Sequence, residues 1–217
     1  LLKGMGGYAL VRTRGDQRQP KGNLPNRILH TRVADAVVAT NSVMARHFAE
    51  KMRVPAERLH MILGGVDTER FRFDSEGRME VRARYGFTND ECVVGLLGRF
   101  DLVKGQRETI AALAKLVGEG VRNIRLMLLG FSTATLQEEV EAWIREAGME
   151  RYVTITGKVP DVTACLSALD VGVVASLWSE TIARAALEIM ACGRPLVSTS
   201  VGVMPDLLPA SALVAPG

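Results

Sequence analysis

Two cations five positions apart, Arg99 and Lys104, are the first residues whose types and spacing suggest chemistry. They lie in Gly98-Arg99-Phe100-Asp101-Leu102-Val103-Lys104-Gly105, between the apolar run Cys92–Leu97 and a helical pattern. A loop of that length can fold both side chains onto one anion, with Arg offering a planar fork to phosphate oxygens and Lys a point charge. The plain alternative is a surface loop with ordinary basic residues. The segment is not a P-loop, since neither GxxxxGKS nor GxxxxGKT occurs, and GxGxxG is absent as well.

A pair of acids comes next. Glu180 and Glu188 are eight residues apart, about two helical turns, so a helix from Thr181 would turn both carboxylates toward roughly one face. Glu180 alone reads as a helix cap that suits the positive end of the dipole. Glu188 sits among Leu187, Ile189 and Met190, where a carboxylate needs a donor partner. The hydroxyls of a ribose are such donors. The N–H groups of Thr181, Ile182 and Ala183, at the expected helix start, suit diphosphate oxygens. A third segment, Gly157-Lys158-Val159-Pro160-Asp161, follows the run Val153–Thr156 and can offer backbone groups to a base edge. Taken alone it is an ordinary strand-to-helix turn.

These residues need a scaffold, and the apolar pattern describes one. Strands are expected at Ala36–Ala39, Leu59–Leu63, Cys92–Leu97, Arg125–Leu129, Val153–Thr156, Val171–Ala175, Pro195–Thr199 and Ala212–Ala215. Several are continuous Val, Ile and Leu runs, as in strands covered on both faces. Helices are expected at Ser42–Met52, Lys104–Val117, Leu136–Ala147, Val162–Ala168 and Thr181–Ala191, with Gly148 and Gly193 at C-cap positions. Ile110, Leu113, Ala114 and Val117 repeat at helical spacing. Strand and helix alternate through short loops, which predicts an α/β fold with a doubly wound parallel sheet. In such sheets ligands bind beyond the carboxyl ends of the strands, where all three segments fall.

Composition narrows the class. The chain has 217 residues, 47% hydrophobic and 24% charged, which excludes wholesale disorder. Its apolar runs are far shorter than the ~20 residues of a membrane span, and no charged, then apolar, then small-residue leader opens it. Leu1 in place of Met suggests a piece of a longer protein. Three cysteines, Cys92, Cys165 and Cys192, form no CxxC pair. They read as buried free thiols in a reducing cytosol. His30, His47 and His60 lack metal-ligand spacing, and no DxD occurs. The net charge is +3, but residues 1–34 gather Lys3, Arg12, Arg14, Arg18, Lys21, Arg27 and Arg32 against Asp16 alone. That segment reads either as a solvated face or as a surface for phosphates, an acidic acceptor or an anionic membrane. A polar stretch between residues 64 and 80 reads as an interdomain connection. Residues 1–66 are then the tail of an N-terminal domain with the hinge, and residues 67–217 a second, nearly complete α/β domain.

Four motifs in order resemble the retaining glycosyltransferases of the GT-B fold in the large group called family 4. Ile62-Leu63-Gly64-Gly65-Val66-Asp67 resembles the hinge "IPNGVD"; Gly98-Arg99 with Lys104-Gly105 resembles the "GR…KG" phosphate loop; Gly157-Lys158-Val159 resembles the "G.V" base loop. Glu180 to Glu188 matches E-x7-E, followed by Met190-Ala191-Cys192-Gly193-Arg194-Pro195-Leu196-Val197 for "MA.G.PVV". The resemblance covers roughly residues 35–217. It implies two Rossmann-like domains, of which this chain holds mostly the C-terminal, nucleotide-sugar-binding one, without its last helix, plus part of the acceptor domain, without its early glycine-rich loop. Arg99 and Lys104 are then expected to hold the donor diphosphate and stabilise the leaving group. Glu180 would contact the donor sugar near the reacting carbon, Glu188 the ribose, and Gly157 and Val159 the base. Ile182 and Ala183 stand where the family usually has Phe-Gly, and Gly64 replaces the hinge Asn. A His that often meets the donor sugar is absent, and Val11–Asp16 occupies its place, leaving Arg14 or Asp16 to substitute.

The expected activity is metal-independent, hexosyltransferase-like transfer from a nucleotide-diphosphate sugar to a glycan or glycolipid acceptor with retention, as in lipopolysaccharide or other cell-envelope glycan synthesis. No cofactor beyond the donor and no nucleic-acid partner are expected. The location implied is the cytoplasm, with peripheral contact at the inner membrane face as one reading of the basic segment. The competing readings are a GT-B isomerase acting on a sugar nucleotide and a non-catalytic module that binds one.

Overall fold

A computed structural model describes residues 7–16 and 18–217. Lys3 of the basic segment lies outside the described residues. The chain divides into two compact units. The first takes the described residues up to Gly64 together with Ser179–Ala183 and Gly202–Leu208, and the second takes Gly65–Trp178, Arg184–Val201 and Pro209–Gly217.

The first unit is a three-stranded parallel sheet in sequence order: β1 (Val11–Arg14), β2 (Ala36–Ala39) and β3 (Leu59–Met61). Helix α1 (Leu24–Ile28), capped by the Asn23 side chain, runs into a π-helical turn at Leu29–Val33 and links β1 to β2. Helix α2 (Ser42–Glu50) begins where Asn41 Oδ1 accepts the Met44 N–H at 2.7 Å. Its Met44 and Phe48 pack with Met52 and Val54 onto Val37 and Ala39 of β2. Neither β1 nor α1 has a clear apolar period. Two of the four β1 residues are arginines, and no residue of α1 is buried.

The second unit opens with α3 (Ser75–Tyr85) where a connection was expected. The polar run is a helix start: Asp74 Oδ1 accepts the Gly77 N–H at 2.9 Å, and Gly86 ends the helix at φ +69°. Then come β4 (Cys92–Leu97), α4 (Gln106–Gly118), β5 (Ile124–Leu129), α5 (Gln137–Glu146), β6 (Val153–Ile155), α6 (Val162–Ser167), β7 (Val171–Val174), α7 (Arg184–Ala191), β8 (Leu196–Thr199) and β9 (Leu213–Val214). The six strands are all parallel, in the order β6-β5-β4-β7-β8-β9. The expected α/β class with a doubly wound parallel sheet is therefore observed. Strand order reverses between β4 and β7, and a crevice opens at that point in such sheets.

The stripe on α4 behaves as its period predicts: Ile110, Leu113 and Val117 are buried against Leu96, Leu126 and Leu128. Between α4 and strands β4, β5, β7, β8 and β9 lies an apolar hollow of about 420 Å³. Charge, more than apolar area, seats α3. Arg78 and Arg82 donate to the carbonyls of Ser167, Ala168 and Leu169 and pair with Asp170 at 2.7 and 3.1 Å. Asp170 also accepts the Val93 N–H. The three cysteines are free, with Cys165 and Cys192 buried and Cys92 half-buried.

Candidate functional site

The loop after β4 stands at the reversal of strand order. Asp101 organises it: its Oδ1 accepts the Val103 N–H and its carbonyl accepts the Lys104 N–H at 2.8 Å, closing a 3-10 turn at Leu102–Lys104. Lys104 thus precedes α4 instead of opening it. The other Asp101 oxygen lies 3.2 Å from the Arg99 guanidinium. Buried Gln106 donates from Nε2 to the Arg99 carbonyl at 2.9 Å. The Lys104 stem crosses the backbone of Gly98, where a Cβ would lie 3.6 Å from Lys104 Cγ and Cδ. Arg99 and Lys104 are therefore held on one short loop over the end of β4. Both suit a phosphate, and the Arg99 side chain is exposed, so its ion pair with Asp101 is a weak contact of about 1 kcal/mol or less that a ligand oxygen can displace.

The loop is clamped from two sides. The Leu177 N–H donates to the Val103 carbonyl at 2.9 Å, tying it to the segment after β7. Gly130, after β5, approaches the Gly98 carbonyl so closely that a Cβ there would stand 2.1 Å from the oxygen.

Glu188 lies in the second turn of α7 and is half-buried. Burial raises its pKa above the ordinary carboxylate range, while Arg184 and Arg70 pull it down. The helix begins at Arg184, three residues later than expected. Ala183 explains the shift, because its φ of +54° is left-handed and cannot continue a right-handed helix. Thr181, Ile182 and Ala183 consequently precede the helix, and the unpaired N–H groups of its first turn start from Arg184. Glu180 and Glu188 do not share a helix face. Glu180 is 7% exposed and falls in the first unit, where its carbonyl accepts the Val203 N–H at 2.8 Å.

Gly157 follows β6 at φ +66°, with Val159 half-buried and Lys158 exposed. Lys158 Nζ sits 4.6 Å from the ring centroid of Phe131. Phe131 was not singled out from sequence. The available signal was an aromatic residue directly after the glycine that follows β5.

In the first unit, Arg14 at the end of β1 pairs with Asp16 at 3.3 Å and donates to the Arg18 carbonyl at 2.9 Å. Gly15 lies beside the Glu180–Ala183 segment, since a Cβ on it would stand 3.9 Å from Ile182 Cδ1. Arg99, Lys104, Gly157, Val159 and Glu188 belong to the second unit, and Arg14, Asp16 and Glu180 to Ala183 to the first. Among the described residues no three His, Cys, Asp or Glu side chains converge as metal ligands, and no helix is long and apolar enough to cross a membrane.

D-inositol 3-phosphate glycosyltransferase of Segniliparus rotundus is 27% identical over 195 residues, covering 88% of this chain and 42% of the relative. The enzyme of that name from Acidothermus cellulolyticus is 30% identical over 177 residues, covering 78% and 39%. The chain thus spans about two fifths of the length of these curated relatives. Among solved structures, Anabaena Alr3699/HepE in complex with UDP matches with a TM-score of 0.83 and 24% identity over 96% of this chain and 59% of that one. WaaG, a glycosyltransferase involved in lipopolysaccharide biosynthesis, matches with a TM-score of 0.73 and 18% identity over 94% and 60%. These likenesses establish the GT-B type of α/β fold. The family described as glycosyl transferases group 1 matches residues 91–217, from the start of β4 through the loop of Arg99 and Lys104 and α7 to Gly217, and the protein belongs to that family.

Proposed function

We propose that this chain carries the donor-binding part of a retaining, family 4-type glycosyltransferase that works without a metal ion. One observation carries the reading: Arg99 and Lys104 share a clamped loop at the point where strand order reverses, in a chain of the group 1 family. The donor is a nucleoside-diphosphate hexose. Its diphosphate lies against Arg99 and Lys104, which offset the charge that grows on the leaving group. Glu188 accepts from the ribose hydroxyls, Glu180 from hydroxyls of the donor sugar, and Gly157 and Val159 face the base. Arg14 or Asp16 takes the place of the missing sugar-contacting His. The bond between the anomeric carbon and the diphosphate oxygen breaks. The acceptor hydroxyl oxygen bonds to the same face of that carbon, and its proton passes to the departing diphosphate.

The proposed acceptor is an anionic glycan or glycolipid of the cell envelope. The two kinds of relative support this reading, since one is named for an inositol phosphate and the other for lipopolysaccharide. Arg12, Arg18, Lys21, Arg27 and Arg32 supply cations for it, or for an anionic membrane surface at the cytoplasmic face.

A thermal-shift panel of UDP, GDP and ADP tests the donor site, because a ligand that prefers the folded state raises the melting point. No shift with any of them removes the reading. A released-diphosphate assay with and without acceptor then separates transfer from isomerisation and from binding alone.

A further inference from the structure

The helical stretch from Leu24 to Val33 presents an apolar pair to solvent that the roles assigned above leave unused. Leu24 is 69% exposed and Ile28 39%, and they stand four residues apart in α1, on one face of the helix. The other side of the stretch is anchored. His30 is 3% exposed, packs its ring 5.1 Å from that of buried Phe48 on α2, and donates from Nδ1 to the Asn26 carbonyl at 2.7 Å. Arg58 donates to the Thr31 carbonyl at 3.1 Å. Ahead of the helix, His47 donates from Nε2 to the Pro20 carbonyl at 2.9 Å. The exposed pair is therefore held outward on a fixed backbone. Cations flank it in sequence: Arg18, Lys21 and Arg32 are exposed and Arg27 is half-buried. No Asp or Glu occurs between Arg18 and Ala34.

We propose that Leu24 and Ile28 insert into the interfacial layer of an anionic lipid bilayer while Arg18, Lys21, Arg27 and Arg32 meet its headgroups. The inference rests on the reading of the basic segment as a surface for an anionic membrane, and it names the side chains that enter the lipid. Two aliphatic side chains cover too little area for the core of a protein interface, and such cores are depleted of charge. A bilayer interface accepts both kinds of group at once. Aliphatic side chains enter the acyl boundary, and cations stay at the level of the lipid phosphates. Lysine and arginine suit that level because their apolar stems lie along the surface while the charge stays in water. A glycolipid acceptor would lie in the same layer.

Sedimentation of the 217-residue chain with vesicles of phosphatidylglycerol or of phosphatidylcholine tests this. The wild type is compared with two double variants, Leu24→Ser with Ile28→Ser and Arg18→Gln with Lys21→Gln. All four side chains are exposed, so neither double change should disturb folding. The wild type should bind phosphatidylglycerol vesicles at least about tenfold more tightly than phosphatidylcholine vesicles. The glutamine pair should weaken binding to phosphatidylglycerol by about fivefold per cation. The serine pair should weaken it by about tenfold or more, because both aliphatic side chains then lose their place in the lipid. Serine variants that bind phosphatidylglycerol as tightly as wild type overturn insertion and leave an electrostatic membrane surface standing. A wild type that does not bind phosphatidylglycerol vesicles overturns both, and UDP binding by the same preparation reports the donor site separately.

Discussion

The backbone of Gly105 runs so close to the carbonyl of Ala175 that a Cβ on Gly105 would stand 2.1 Å from that oxygen. Gly105 also holds φ at +70°, which a side chain disfavours by roughly 1–2 kcal/mol. Contact and torsion act together, so Gly105→Ala must push the loop of residues 98–105 off the end of β7. It should lower stability by about 2–4 kcal/mol in urea unfolding. Because Lys104 immediately precedes it, nucleotide binding should fall in the same variant. Wild-type stability in Gly105→Ala would show that the loop does not rest on β7.

Arg99 and Lys104 should respond differently from Gly105. Arg99 has an exposed side chain whose ion pair with Asp101 contributes about 1 kcal/mol or less. Arg99→Ala should therefore leave stability nearly unchanged and weaken UDP binding by about tenfold or more. Lys104→Ala should lower turnover by about 10²-fold if the ammonium stabilises the departing diphosphate. Steady-state rates that match wild type in both would exclude this loop from catalysis.

How far these features could be read from sequence depended on what holds each one. Strands β4 to β8 were visible to within a residue at either end because each is a short, mostly apolar run rich in Val, Ile and Leu, and α4 because its stripe keeps a helical period. Helix α3 was missed because it buries little apolar area and is seated by Arg78 and Arg82 on Asp170, about 90 positions away. A polar run says nothing of such a partner. The loop proposed to hold phosphate was legible as a pair of cations after a strand, but not the close backbone approaches at Gly105 and Gly130 that hold it in place. The helix carrying Glu188 was placed too early because a left-handed Ala183 has no sequence signal, alanine being the strongest helix former. The segment 179–183 clusters with the first unit through long-range contacts that no local pattern records.

Two carboxylates of the second unit should give opposite pH signatures. Burial raises the pKa of Glu188, so the folded state holds its proton more tightly than the unfolded chain. Stability is then lost as pH rises from the ordinary carboxylate range through the raised value. Asp170 is the reverse. Burial pushes it up, but the Val93 N–H, Arg78 and Arg82 outweigh that and hold it below its usual range. Its contribution is present above the ordinary value and fades as pH falls through the depressed one. Urea unfolding of Glu188→Gln and Asp170→Asn from acid to neutral pH checks both signs. Relative to wild type, Glu188→Gln should gain stability toward neutral pH and Asp170→Asn should lose it. Parallel curves for wild type and either variant would contradict the corresponding assignment.

Ala183 offers the sharpest test of backbone geometry near the candidate site. It is a non-glycine residue at φ +54° and is 3% exposed. Ala183→Gly relieves roughly 1–2 kcal/mol of left-handed torsion. It also gives up a buried methyl worth about 0.8 kcal/mol and adds freedom to the unfolded chain worth about 0.4–1 kcal/mol. These effects nearly cancel, so the glycine variant should unfold within about 1 kcal/mol of wild type. Ala183→Val has no such compensation. A β-branched residue at positive φ is strongly disfavoured, and its extra methyls enter a closed site, so a loss of about 2 kcal/mol or more is expected. Similar stabilities for the valine and glycine variants would mean that residue 183 is not left-handed, and α7 would then begin earlier, as the uninterrupted helical pattern from Thr181 suggests.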